Sequence, residues 1–317
     1  MVSYVDVLAA RERIRDTIHP TPCLADYALS EQFGRPVYLK GELFQRTGAF
    51  KPRGALNWLR TASTSELRAG LGAVSAGNHA VALAWAAQAA GVRLTVAMPA
   101  NASSVKVEAT RNFGAEVILE GDINDAWARM HRLVEERRLT LVHPFDDPRI
   151  IAGQGTVGLE IVEQCPHVNA ILCPVGGGGL ISGLAIAARH LRPKVRIIGV
   201  EPEGAATLKH AWLHNGPTRL EHVQTCAWSL GAAIAGEYTY RLSREYVDSI
   251  ITVPESSIHA GMRHLLGTVK VHAEPGAAVA AGALLDGTAA DELPNAGDIV
   301  AVVTGGNMSS EELKQFL

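Results

Sequence analysis

Apolar and polar positions along this chain fall into short hydrophobic runs that alternate with longer amphipathic ones. Residues 37–40 are a short strand candidate, and residues 55–59 open a helix. Residues 73–75 read as a strand ending in a Gly-Asn loop, followed by a helix over 80–90 with almost no polar residue. A strand at 94–98 is closed by Pro99, the stretch 103–113 is amphipathic, and 116–119 is the next strand. A helix over 126–136 and a strand at 139–142 complete the series. Such alternation predicts a parallel sheet with helices on both faces.

A second series follows, with a helix over 156–163, a buried strand at 170–174, a helix over 180–191 and a strand at 196–201. Segments 250–253, 256–266 and 299–303 complete it. Two series imply two α/β units. Their boundary falls at the turn-rich stretch His143-Pro144-Phe145-Asp146-Asp147-Pro148, which is expected to shape the junction, with Asp147 capping the turn that follows. No internal repeat or low-complexity segment interrupts the pattern.

Composition narrows the class. A chain of 317 residues has room for about two domains sharing a substantial core. Hydrophobic residues make up 47% and charged residues 19%, the balance of an ordinary globular protein. A net charge of −3 offers no basic patch for nucleic acid or an anionic membrane. No apolar run is long enough for a membrane span, and the N-terminal stretch lacks the apolar core of a signal peptide. Cys23, Cys165, Cys173 and Cys226 show no CxxC spacing, which argues against zinc and a disulfide framework. A cytoplasmic location is therefore expected.

Four short motifs carry candidate chemistry. The first is Lys51, inside Gln45-Arg46-Thr47-Gly48-Ala49-Phe50-Lys51-Pro52-Arg53-Gly54-Ala55. An amine attacks an aldehyde only when neutral, and a free lysine has a pKa of about 10.4. A desolvated or cation-flanked pocket lowers that value, and Phe50 and Arg53 are placed to contribute. The plain alternative is an ordinary lysine at a helix start.

The second motif is Gly176, Gly177, Gly178 and Gly179, between an apolar strand and a helix. Strand, glycine turn and helix N-terminus make a phosphate cradle, because backbone amides face the anion. Gly177-x-Gly179-x-x-Ser182 also approaches a dinucleotide fingerprint, with Glu201 near the place of a ribose-binding acid. That reading lacks the third glycine and leaves Lys51, Asn78 and Thr304 unexplained. The third motif, Ser75-Ala76-Gly77-Asn78-His79, sits between strand and helix, where amides and short polar groups hold a carboxylate. The fourth, Thr304-Gly305-Gly306-Asn307, ends an apolar strand. A hydroxyl there is placed to hydrogen-bond a ligand at the strand end.

Together and in this order, the motifs resemble pyridoxal-phosphate enzymes of the tryptophan-synthase-β type, within the threonine/serine dehydratase and serine racemase branch. The resemblance runs from about residue 15 to residue 307. It implies two parallel-sheet α/β domains with the cofactor between them: residues 1–50 plus 148–317 as the large domain and 51–147 as the small one. It further implies pyridoxal 5'-phosphate held as a Schiff base by Lys51, with Phe50 packing on its ring. Gly176 to Gly179 take the phosphate, Asn78 the phenolic oxygen and Thr304 the ring nitrogen. Ser75, Ala76, Gly77 and His79 fall at the substrate carboxylate, although His79 is equally read as acting through its backbone alone. Trp228 and Ser229 fall beside the substrate side chain.

The implied reaction is β-elimination from a 3-hydroxy-L-amino acid such as threonine, serine, hydroxyaspartate or phenylserine, giving a 2-oxo acid and ammonia. A racemase of the same fold and a nucleotide-binding module are the alternatives. Assembly as a homodimer is left open.

The chain also departs from the resemblance. Relatives read Ser-Phe-Lys where Ala49 precedes Phe50 here. Relatives with a structural divalent cation carry a carboxylate where this chain has Thr207, alongside Glu201 and Ala205, so no metal is expected. Trp228-Ser229 stands where relatives have Asp-Gly, read evenly as a pocket change or a core tryptophan. Ala76 replaces the second serine of the racemase loop, and Ser75 beside it is expected to point the other way. With ten residues after Asn307, the regulatory domain of feedback-inhibited relatives is not expected.

Overall fold

The structure is a computed structural model and describes residues 1–316. Its strands are β1 (Cys23–Ala25), β2 (Val37–Gly41), β3 (Leu71–Val74), β4 (Leu94–Pro99), β5 (Glu116–Glu120), β6 (Thr140–Leu141), β7 (Val168–Pro174), β8 (Arg196–Pro202), β9 (Ser249–Val253) and β10 (Asp298–Val303). They form a six-stranded sheet ordered β1-β2-β10-β7-β8-β9 and a four-stranded sheet ordered β5-β4-β3-β6. The smaller sheet uses one continuous stretch of chain. The larger takes two strands from before that stretch and four from after it.

Alternation within single strands explains why both faces of the larger sheet are covered. Ile299, Ala301 and Val303 of β10 belong to one buried cluster, whereas Val300 and Val302 belong to another. Successive side chains point to opposite faces, so a strand apolar at every position needs cover on both. The helix Pro275–Leu285 covers the first face, and Gly179–Leu191 packs in the second cluster. All pairings are parallel except β1 with β2, which is antiparallel. Their connection holds only the short helix Tyr27–Phe33, too short for a parallel crossover.

The strands read from the hydrophobic pattern all form, with ends shifted by a residue or two. Asp147 caps the helix Pro148–Gln164 as expected, accepting from the Arg149 amide at 2.7 Å. That helix begins eight residues before the predicted segment. The helices Tyr4–Ile14, Thr207–Leu213, Glu237–Tyr246 and Pro275–Leu285 add to the pattern. Pro275–Leu285 is apolar on almost every side, so it shows no amphipathic period. Among the described residues no helix is long and apolar enough to cross a membrane.

Candidate active site

The C-terminal ends of β3, β7 and β10 open onto one cleft of about 1050 Å³. Phe50, Lys51, Ser75, Ala76, Gly77, Asn78, His79, Gly176, Gly177, Gly178, Gly179, Trp228, Ser229 and Thr304 all line it. Four motifs far apart in the chain are thus brought to one site, at the strand ends where open α/β sheets place ligands.

Lys51 stands at the start of the helix Pro52–Thr61. The turn before it is stitched to the end of β10: the Phe50 amide donates to the Thr304 carbonyl at 3.1 Å, and the Gly306 amide to the Gly48 carbonyl at 2.9 Å. Gly48 has φ +73°, and a Cβ there would sit 2.4 Å from Asn307 Oδ1. Only glycine fits both demands. Lys51 Nζ donates to the Pro144 carbonyl at 2.9 Å. Burial pushes the Lys51 amine down to about 8, while the charge of Glu274 works to raise it.

Arg53 does not serve as the depressing cation expected from sequence. It is buried and clamped between Glu42 and Glu160, with contacts of 2.8 Å and 2.6 Å. Its charge is consumed in that cluster, so desolvation alone lowers the Lys51 value.

The glycine loop has two separate reasons for its composition. Gly178 has φ +89° and caps the helix Gly179–Leu191. A Cβ on Gly177 would lie 2.3 Å from the Phe145 ring, so that ring packs directly on the loop. Phe145 therefore does more than mark the junction between the two sheets. Among the described residues, the amides of Gly176, Gly177 and Gly178 enter no backbone hydrogen bond. They lie at the cleft together with the unpaired first turn of the helix, an arrangement suited to an anion.

Asn78 begins the helix Asn78–Ala90. Its Nδ2 donates to Glu274 Oε1 at 2.5 Å, and its Oδ1 accepts from Asn307 Nδ2 at 2.9 Å. One Nδ2 hydrogen remains for a ligand. Glu274 is buried and also pairs with Lys106 at 2.9 Å. Neither Glu274 nor Lys106 was found from the sequence. The available signal was a carboxylate directly before Pro275, at the start of an all-apolar helix.

His79 is buried, and both its ring nitrogens lack a hydrogen-bond partner among the described residues. Burial, then the Lys51 charge, hold it well below the usual imidazole range, so it is neutral. His143 is pushed down to about 4 by burial and then by Lys51. Its Nδ1 accepts from the Asp146 amide at 2.8 Å. Thr304 is buried, and among the described residues its hydroxyl makes no hydrogen bond in the chain. Trp228 is 61% exposed at the cleft, which removes the core reading of this residue.

At the metal position of some relatives, Glu201 is buried and accepts from the Leu208 and Lys209 amides at 2.7 Å and 3.0 Å. Its carboxylate caps the helix Thr207–Leu213 instead. Burial pushes it up to about 8 against the pull of those two amides.

Fold and cleft together define a fold-type-II pyridoxal-phosphate enzyme. Residues 14–305 match the family model described as pyridoxal-phosphate dependent enzyme, and the chain belongs to that family. It is 40% identical to an L-threonine ammonia-lyase of Thermotoga maritima, over 100% of this chain and 78% of that one. The processed form of threonine deaminase isoform 2 from Solanum lycopersicum superposes with a TM-score of 0.90 at 34% identity, covering 99% of this chain and 91% of that one. Maize serine racemase superposes with a TM-score of 0.93 at 33% identity, covering 99% and 96%. The free loop amides, the free Thr304 hydroxyl and the remaining Asn78 hydrogen fit the family's cofactor.

Proposed function

We propose that this enzyme eliminates water from a small 3-hydroxy-L-amino acid, L-threonine first among them, to give a 2-oxo acid and ammonia. The observation that carries the reading is Lys51: a cleft lysine whose amine is shifted to about 8, on the wall that also holds the glycine loop and Thr304. Pyridoxal phosphate, when bound, supplies an electron sink for charge at the substrate α-carbon. Gly176 to Gly179 would hold the phosphate, Asn78 the phenolic oxygen and Thr304 the ring nitrogen.

Lys51 is the residue that would hold the cofactor, and its amine, once free, would face the substrate α-carbon. Its lowered pKa leaves an appreciable neutral fraction near pH 7, so it can then remove the α-proton. The amides of residues 75–79 lie at a helix N-terminus, which favours the substrate carboxylate. His79 is neutral there, so the helix amides and not an imidazolium hold the carboxylate. Return of the α-proton to the β-hydroxyl would release it as water, and hydrolysis of the dehydrated amino acid would then give the 2-oxo acid and ammonia.

The test is release of 2-oxo acid and ammonia from threonine, serine, 3-hydroxyaspartate and phenylserine, measured side by side. Wild type is expected to release both in equal amounts. Lys51→Ala is expected to lose the near-visible absorbance of bound cofactor and nearly all turnover. Wild-type rates from that variant would refute the assignment.

A further inference from the structure

Cys226, Glu255 and His259 form a cluster that the reaction does not use. Glu255 and His259 stand four residues apart on the helix Glu255–His264, so their side chains share one face. Cys226 approaches from the segment that carries Thr225, Trp228 and Ser229 to the cleft. One thiol sulfur, one carboxylate oxygen and one imidazole nitrogen all lie within 4.8 Å of one another.

Part of the cluster is already held in place. Glu255 Oε2 accepts from the Cys226 amide at 2.9 Å. Its Oε1 is buried and has no hydrogen-bond partner among the described residues. The His259 ring packs edge-on against Phe316, with centroids 4.9 Å apart. Among the described residues, no side-chain hydrogen bond fixes its nitrogens. The Cys226 thiol and the Thr225 hydroxyl both face this carboxylate, and carboxylate, imidazole and thiol at one point form a donor set that suits a cation.

Sulfur and imidazole ligands select against magnesium and calcium and suit zinc. Zinc bonds of about 2.0–2.3 Å to nitrogen, oxygen and sulfur bring neighbouring ligand atoms somewhat closer than the present limit. Small rotations of these half-buried side chains supply the difference. We propose that Cys226, Glu255 and His259 bind one zinc ion, with water in the fourth position. The ion pins the segment 225–229, which lines the cleft, to the helix Glu255–His264.

Spacing alone hid this site. The partners of Cys226 lie on a later helix, so the absence of CxxC spacing, which argued against zinc, says nothing about it.

The test uses the intact holoenzyme, treated with chelator under reducing conditions and titrated with zinc chloride by calorimetry. One zinc per chain is expected, and Cys226→Ser and His259→Ala should each lose that stoichiometric site. Zinc should also shield Cys226 of the unmodified protein from iodoacetamide, read by peptide mass spectrometry with the other three cysteines as controls. This arm needs no variant to fold. Equal alkylation of Cys226 with and without zinc overturns the proposal. So does zinc binding by Cys226→Ser indistinguishable from wild type, or no stoichiometric zinc at all.

Discussion

Asn78 Nδ2 lies 2.5 Å from Glu274 Oε1, and this contact joins the two sheets at the cleft. Asn78 begins the helix that follows β3 of the smaller sheet, and Glu274 precedes the helix that covers the larger one. The same carboxylate is the charge that holds the Lys51 amine up against desolvation. One buried acid thus positions the asparagine and tunes the lysine.

Removing that charge should be visible in the apoenzyme. With Lys51 at about 8, its neutral fraction rises with pH through that value. The rate of cofactor uptake should rise with it, because only the neutral amine attacks the aldehyde. Glu274→Gln removes the charge that raises the pKa, so the midpoint moves to lower pH. At pH 7 the variant should take up cofactor faster, by about fivefold for a one-unit change. A stopped-flow pH series decides it. An unchanged midpoint would mean that the Glu274 charge does not reach Lys51.

Magnesium and calcium should be without effect. Thr207 cannot supply a charged oxygen, and the Glu201 carboxylate is taken by two helix amides. Chelator-treated enzyme should therefore keep the same kcat and the same melting temperature when either ion is added back. Restoration of lost activity by magnesium, with zinc absent, would contradict this reading of the Glu201 position.

Trp228 and Ser229 should set side-chain preference at little cost in stability. Both line the cleft, and Trp228 is too exposed to be core. Trp228→Asp combined with Ser229→Gly is expected to shift the kcat/KM ratio among the four test substrates by about 1–3 kcal/mol, toward threonine or serine. The melting temperature should move by only a few degrees. An unmoved ratio would take Trp228 out of the specificity argument.

Much of this architecture was legible because local pattern and function coincide. Lys51, the glycine loop and Thr304 each sit where a strand or helix begins or ends, and composition marks such points. What stayed hidden depends on contacts distant in sequence. Arg53 looks like a cation beside Lys51 until Glu42 and Glu160 fold around it. Glu274 looks like a solvated acid until Asn78 and Lys106 arrive from the other sheet. The helix Pro275–Leu285 is buried nearly all round, so no periodicity announces it.

Dehydration should dominate over racemisation because of Ala76. Racemisation needs an acid–base group on each face of the substrate α-carbon, one to remove the proton and one to return it from the opposite side. Lys51 serves one face. Ala76 lines the cleft where the resemblance places the second serine of the racemase loop, and a methyl group can neither take nor give a proton. Ser75 was expected to be kept away by strand alternation. In fact β3 ends at Val74, so that rule does not apply. The Ser75 oxygen accepts from the Gly77 amide at 3.1 Å, which ties the hydroxyl to the turn while leaving its proton free. Without a proton donor at position 76, loss of the β-hydroxyl is the open route. Wild type should yield only traces of D-amino acid from L-serine or L-threonine. Ala76→Ser should gain measurable epimerisation, while Ala76→Gly, which alters the same position without adding a proton donor, should gain none. Chiral chromatography of the reaction mixtures separates these outcomes, and abundant D-enantiomer from the unmodified enzyme would overturn the choice of lyase over racemase.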